Sequence, residues 1–400
     1  MTTLNDREKK KINPVVCLLV FALAYAAPNY AQYQISPLGP QIIQRFGLSD
    51  VQYHSFFTAP MFPAIFLGFV SGMLVDRLGY KPVLAVSIVL TAIGAWVRYL
   101  SSGYGIMYAA MVLMGFSAAF ISANGAKILS NFFHPDKVSV MMGLVLTITT
   151  TGMVLGMATT TSLGISRAFL LAACLATLVL VLWLTVMPNI RPARKEADSE
   201  RLPLGKAVGK VLRNRYVWTA GLVIFFVNGC MTGMGSFIPT ALVADRGFTE
   251  SAAGTAGAFL MAGNLLGSLI TPTISLKTGK FRLVLILCGL VAGLGCCFAW
   301  RLPGIWLYVG LGIAGYTFGS GMAQTLSLSV RLPGVGPALA GTAGGLISTL
   351  DLLGAKLLPG YVASAIAGSN RNVFFMILGL FAIPWMIGVF LLPKELDVKG

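Results

Sequence analysis

Charge is scarce in this chain. Only 10% of its 400 residues are Asp, Glu, Lys or Arg, and only 13 are acidic, whereas about a quarter of a soluble globular protein is charged. Histidine occurs twice, at His54 and His134. No H-E-x-x-H, G-x-S-x-G or P-loop G-x-x-x-x-G-K-[ST] motif is present. Metal-dependent hydrolysis, serine-hydrolase chemistry and ATP-driven work therefore lack their residues. The chain is read as a non-enzyme with no cofactor. Its six cysteines (Cys17, Cys174, Cys230, Cys288, Cys296, Cys297) all fall inside apolar stretches, so no disulfide framework is expected.

What is abundant is hydrocarbon. Hydrophobic residues make up 56% of the chain, with 46 glycines and 19 prolines, and the mean hydropathy is +0.81. Twelve apolar stretches are long enough to cross a bilayer, at roughly 20 residues each. They cover 14–36, 51–74, 82–100, 104–131, 138–161, 167–187, 216–243, 250–275, 283–300, 304–329, 337–365 and 372–393. With the N-terminus in the cytoplasm, 21 of the 29 basic residues lie on cytoplasmic segments, as the positive-inside rule requires. Outer loops and helix ends hold Arg45, Arg98, Arg167, Arg246, Arg301 and Arg371. The net charge of +16 thus sets orientation, and nucleic acid is not an expected partner. Five tryptophans lie near span ends, as in an aromatic belt; Trp385 does not. The start, with Lys9-Lys10-Lys11 and then Ala24-Tyr25-Ala26, imitates a signal peptide, but cleavage would leave eleven spans and break the symmetry described next.

Segment 188–215 is the only long polar stretch. It divides the spans six and six, giving expected domains 1–187 and 216–400 joined by a cytoplasmic linker. The halves echo each other at about 200 residues: DRLGYK after span 2 corresponds to LKTGKF after span 8, so that Arg77 matches Lys277 and Gly79 matches Gly279. Gly143 and Gly152 in span 5 match Gly345 and Gly354 in span 11. Internal repeats of this kind mark secondary transporters, with the site near midplane between repeats. The strongest local motif is GMLVDRLGYKPVL (72–84). It resembles the loop between helices 2 and 3 of the major facilitator superfamily, G-x-L-x-D-R-x-G-R/K-R/K-x-x-L. Gly72, Leu74, Asp76, Arg77, Gly79, Lys81 and Leu84 match, and Tyr80 departs from the pattern. The resemblance covers essentially the whole chain. It implies an all-α membrane protein of twelve transmembrane helices in two six-helix bundles related by pseudo-two-fold symmetry. It further implies a central cavity lined mainly by helices 1, 4, 7 and 10, with Asp76 and Arg77 stabilising one gate state.

Polar stripes fall on those four helices. Tyr25, Asn29 and Gln32/Tyr33 share one face of span 1, beside Pro28. Asn228 and Thr232 do so in span 7, and Tyr316, Ser320 and Gln324 in span 10. Each stripe is read either as substrate contact or as interhelical hydrogen bonding. In span 4, Phe116, Phe120, Asn124 and Lys127 share a face, and Lys127 either lines the cavity or snorkels to the cytoplasmic edge. The stretch GAKILSNFFHPDKVSVMMG (125–143), which contains that lysine, resembles, weakly, the end of helix 4 in the anion-porter branches of the superfamily. The internal arginines of nitrate porters, the helix-1 arginine of organic-ion symporters and the helix-5 Gly-Pro pair of proton-coupled drug antiporters are all missing.

Span 11 reads GGLISTLDLLGAKLLPG over 344–360. It places Asp351 near midplane and Lys356 about 7.5 Å further out at ~1.5 Å per residue. Intramembrane charges are expensive and mark function by default. Three readings stand: Lys356 as a ligand for a substrate anion, as in the oxalate/formate branch that the chain loosely resembles; Asp351 as a proton-coupling carboxylate; or both as structural partners of other groups. Two lysines against one aspartate would leave a shared cavity net positive, which favours an anion. The expected function is secondary transport of a small organic anion, a carboxylate, across the inner membrane. The protein is expected to be a monomer with both termini cytoplasmic, and its partners a small-molecule substrate, a coupling proton or counter-transported anion, and the lipid bilayer. The alternative is a proton-coupled exporter of apolar or cationic compounds that uses Asp351. A sensor on a transporter scaffold is disfavoured by the short tails.

Overall fold

The structure, a computed structural model, describes residues 13–133, 135–189, 204–328 and 332–397. All regular structure among them is helical. Among the described residues, nine helical stretches are long and apolar enough to cross a membrane. One of them, Met141–Val186, contains two of the expected spans, which meet at Gly164, whose φ of 71° lies in the left-handed region. Span 2 is broken: Asp50–Thr58, a 3-10 turn at Ala59–Met61, then Phe62–Leu78. Pro60 and Pro63 sit at the break, where a missing N–H interrupts the helical ladder. Span 10 is the helix Ile305–Ser327. Span 11 runs as Gly336–Leu357, a π-helical turn Leu358–Ala363, and Ser364–Ala367. The polar linker is not wholly irregular, since Leu204–Arg213 forms a helix. Lys210 and Arg213 stand in its last turn, where they complement the helix dipole, and Val211 on its apolar side is buried.

The described residues pack into two compact units. One takes those up to Leu38 and from Phe56 to before Ala197; the other takes Gly39–Ser55 and those after Asp198. Segment 39–55, which the sequence division assigns to the first bundle, therefore packs with the second.

Within the first unit, spans 1 and 5 approach closely. Gly152 leaves room for the carbonyl of Ala26 at 3.3 Å from where a Cβ would stand, and Gly156 does the same for that of Tyr30 at 2.6 Å. The equivalent pair in the second unit is span 7 on span 11, with Gly354 laid against the backbone of Phe225. The internal repeat thus carries a repeated helix contact, with Gly152 and Gly354 in matching places. The matched loop glycines also agree, Gly79 at φ 88° and Gly279 at φ 65°. Any side chain is strained in that region.

Spans 8 and 10 meet backbone to backbone. Gly263, Gly267, Gly315 and Gly319 each face a carbonyl of the opposite helix with no space for a Cβ. Such small-residue contacts replace the hydrophobic effect as the source of helix association in lipid. A Gly319→Ala variant is expected to lose about 1–3 kcal/mol from overpacking, read as a lower melting temperature in detergent. Retention of wild-type stability would show that the helices separate freely there. Trp385, which lies away from any belt, is fully buried. Its indole lies over Gly289 and Gly321, whose Cβ positions are 3.5 and 2.8 Å from it. It is a core residue that fills the space two glycines leave.

Arg98, read as an outer helix-end charge, is instead wholly buried in the first unit. Its guanidinium donates to the carbonyl of Ala31 at 2.6 Å and to Oε1 of Gln34 at 2.7 Å. It also lies 4.1 Å from the ring centre of Phe169. Gln34 in turn donates to the carbonyl of Ala168, so one arginine ties together spans 1, 3 and 6.

Candidate functional site

The intramembrane carboxylate lies where spans 7 and 11 meet. Asp351 is 8% exposed, and its Oδ1 is buried with no hydrogen-bond partner among the described residues. Asn228 of span 7, within the helix Arg215–Arg246, points its Nδ2 at the backbone carbonyl of Asp351, 3.4 Å away. Thr232 donates to Asn228 Oδ1 at 3.1 Å and fixes which way that amide faces. Ser236 follows one turn on, its Oγ 2.7 Å from the carbonyl of Thr232 and 3.2 Å from Nδ1 of His54. The spacing 228, 232, 236 forms a single stripe, which meets span 11 at Asn228 and His54 at Ser236. Lys356, five residues past Asp351, is half-buried. The two charges are separated by about 140° around the helix axis, so they do not share a face.

The other stripes are mostly spent on their neighbours. In span 10, Ser320 bonds to Thr271 of span 8 at 2.6 Å, Tyr316 accepts from the same threonine at 2.8 Å, and Gln324 Oε1 accepts from Ser275 at 2.5 Å. Gln324 Nε2 remains buried without a partner among the described residues. In span 1, Asn29 donates to the carbonyl of Tyr25 one turn back at 2.8 Å, and both side chains are half-buried. Gln32 is buried and donates to the carbonyl of Phe57 at 2.7 Å, while Tyr33 packs edge-on against the Phe57 ring. In span 4, Asn124 donates to Ser71 Oγ at 3.0 Å and to the carbonyl of Phe120 at 2.9 Å. Gln32, Asn124 and Ser320 thus act as interhelical bonds in this structure. Tyr25 and Asn29 remain the more accessible members.

In the loop motif, Lys81 donates to the carbonyl of Leu184 at 3.0 Å. Tyr80, the departure from the superfamily pattern, sends its hydroxyl to the carbonyl of Pro188 at 2.5 Å and packs edge-on to Trp183. Gly72 and the side chains of Asp76, Arg77 and Lys127 lie outside the described residues.

Sequence reading passed over His54. It is 1% exposed and sits at the far end of the span-7 stripe, with Nδ1 3.2 Å from Ser236 Oγ and Nε2 3.4 Å from the carbonyl of Ala355. The signal that could have found it is Pro359, whose missing N–H leaves the carbonyl of Ala355 without its donor four residues on. A separate surface pocket in the same unit is lined by Asp245, Arg246, Trp300, Arg301, Arg371 and Asn372. Its arginines are already engaged: Arg246 on the carbonyls of Trp300 and Leu302, Arg301 on Asn372, and Arg371 on Asp50. It is a loop feature, apart from the intramembrane polar residues.

The Major Facilitator Superfamily model matches residues 15–359. Among curated proteins, the chain is 25% identical over 262 residues to the uncharacterised MFS-type transporter YceJ of Bacillus subtilis, a match over 62% of this chain and 64% of that protein. It is also 25% identical over 382 residues to the multidrug transporter MdfA of Edwardsiella ictaluri, covering 92% of this chain and 88% of that protein. Among solved structures, a bacterial homologue of the human lysosomal transporter Spinster superposes with a TM-score of 0.74 at 17% identity, over 94% of this chain and 95% of that one.

Proposed function

The chain belongs to the Major Facilitator Superfamily of secondary transporters, and from that premise we propose that its cargo is a small organic anion, most simply a carboxylate, carried by alternating access. The observation that supports this is Lys356, a half-buried cation in an apolar helix. A charge at that depth is retained where it meets a ligand or a partner. Lys356, with Lys127, compensates the charge of the substrate; Tyr25, Asn29, Asn228 and Thr232 orient it. The protein works as a monomer in the cell membrane, with both termini on the cytoplasmic side.

The test is a thermal-shift panel on purified wild-type and Lys356→Gln protein, using small mono- and dicarboxylates, inorganic anions and lipophilic cations. A ligand that binds only the folded state adds about 2.7 kcal/mol at a hundred times its Kd. One carboxylate should raise the melting temperature of wild type and leave the variant unmoved. Stabilisation by lipophilic cations alone, or an equal response from the variant, would end the anion reading.

A second reading has an observation of its own. The similarity to MdfA, named a multidrug transporter, runs along nearly the whole chain, and Asp351 offers a carboxylate oxygen with no partner among the described residues. On this reading the chain is a proton-coupled exporter of apolar or cationic compounds, and the cation arm of the same panel is the one that responds.

A further inference from the structure

His54 is held in the second unit by atoms that suit two protonation states. A neutral imidazole has one N–H and one lone pair. With the proton on Nε2, that nitrogen donates to the carbonyl of Ala355, 3.4 Å away, while Nδ1 accepts from the Ser236 hydroxyl at 3.2 Å. The Ser236 hydroxyl also has an acceptor of its own in the carbonyl of Thr232 at 2.7 Å. If a proton arrives on Nδ1, the hydroxyl turns to Thr232, and Ser236 Oγ accepts from the new N–H. No heavy atom has to move. The Ala355 carbonyl is open to such a donor because position 359 is proline and has no N–H to offer it. The helix then widens into its π-helical turn at Leu358–Ala363, a feature frequent at functional sites. Gly360, inside that turn, lies directly against the imidazole with no room for a Cβ. Phe237 stacks on the ring at 5.8 Å, with planes 10° apart.

The same stripe leads to the buried carboxylate. Asp351 is four residues before Ala355, hence on the same face of span 11 and about 6 Å along it. Asn228, Thr232 and Ser236 of span 7 bridge the interval. Charged and titratable groups of the same unit stand near His54 on several elements. Span 11 contributes Lys356, which opposes a second positive charge, and Asp351, one turn before Ala355 in the same helix. Span 12 contributes Arg371, and the segment that carries His54 contributes Asp50, joined in a two-pronged pair at 2.7 and 2.9 Å. Tyr53 spends its hydroxyl on the carbonyl of Ser236 at 3.0 Å. Glu250 is taken by Gln41.

We propose that His54 is a proton-binding site of this carrier, and that with Asp351 it forms a two-station site for a coupling proton on one face of span 11. In the loading step a hydronium ion gives up its proton, an N–H bond forms at Nδ1, water leaves, and no other covalent bond changes. The inference rests on the carrier reading and not on the cargo, which can be anion or cation.

The chain has only two histidines, so a His134→Gln variant leaves His54 as the sole imidazole. The full-length variant, labelled with 15N-histidine and placed in lipid nanodiscs, would be followed by NMR from pH 8 to pH 5. The His54 nitrogens should pass from the neutral pattern to that of imidazolium within that range. Adding Ser236→Ala, which removes one acceptor of the charged form, should lower the midpoint by about one unit, a tenfold loss of proton affinity. A His54 that stays neutral to pH 5, or a midpoint indifferent to Ser236→Ala, overturns the proposal. Either result leaves the cargo reading untouched, because that reading does not use His54.

Discussion

Arg98→Ala is expected to be among the most destabilising single substitutions in the first unit, at about 3–5 kcal/mol, the scale on which a buried charge network is broken by removing one member. Three losses contribute. Two charge-assisted hydrogen bonds go, each worth about 1.5–3 kcal/mol, to Ala31 and to Gln34. The contact with the Phe169 face, worth about 2 kcal/mol when desolvated, goes with them. Gln34, itself fully buried, keeps an Oε1 with nothing to accept from, and a void the size of an arginine remains. Removing the charge also removes its desolvation cost, so the total stays well below the sum of the parts. That offset gives the second half of the prediction. Arg98→Met fills most of the volume without a charge and should cost less, about 1–2 kcal/mol. Arg98→Lys keeps the charge but not the planar fork, and should fall between the two. Chemical denaturation in detergent, with the three variants side by side, checks the order. If alanine costs under about 1 kcal/mol, Arg98 does not hold spans 1, 3 and 6 together.

That arginine also marks where reading the sequence stops. Two residues from the end of an apolar run, beside Tyr99 and Leu100, it resembles any rim charge. What makes it a core residue are Gln34 and Phe169, which lie 64 and 71 positions away, and no local periodicity reports contacts of that range. The glycines behave differently. Gly152 with Gly354, and Gly79 with Gly279, were visible as repeats because each does a backbone job that only glycine performs, a close helix approach in one pair and a positive φ in the other. The polar stripes were half legible. The spacing of Tyr316, Ser320 and Gln324 correctly puts them on one face, but periodicity cannot say which neighbour that face meets. In span 10 the neighbour is Thr271 and Ser275 of span 8. His54 was the least legible of all. A lone histidine at a span end carries no pattern, and its counterpart, the Pro359 that opens a carbonyl, stands three hundred residues later.

Asp351→Asn should separate stability from function. The carboxylate is buried where spans 7 and 11 meet, its Oδ1 without a partner among the described residues, and an uncompensated buried acceptor costs about 1–3 kcal/mol. Asparagine has the same shape and is never charged, and the Asn228 contact goes to the backbone of residue 351, which the substitution leaves in place. The variant is therefore expected to be at least as stable as wild type, with a melting temperature equal or higher. Its transport should change in the opposite sense. In proteoliposomes with an imposed pH gradient, using the compound identified by the thermal-shift panel, wild type should drive its cargo past equilibrium. The variant should only equilibrate it, since no proton can leave or join position 351. Exchange of labelled for unlabelled cargo, which needs no net proton movement, should survive. That pairing distinguishes coupling from structure. A variant that loses both stability and exchange would mean that the carboxylate is a packing partner whose contacts hold spans 7 and 11 together. A variant that still concentrates its cargo would mean that the gradient is harvested elsewhere, and would leave Asp351 a cost that the fold carries without using.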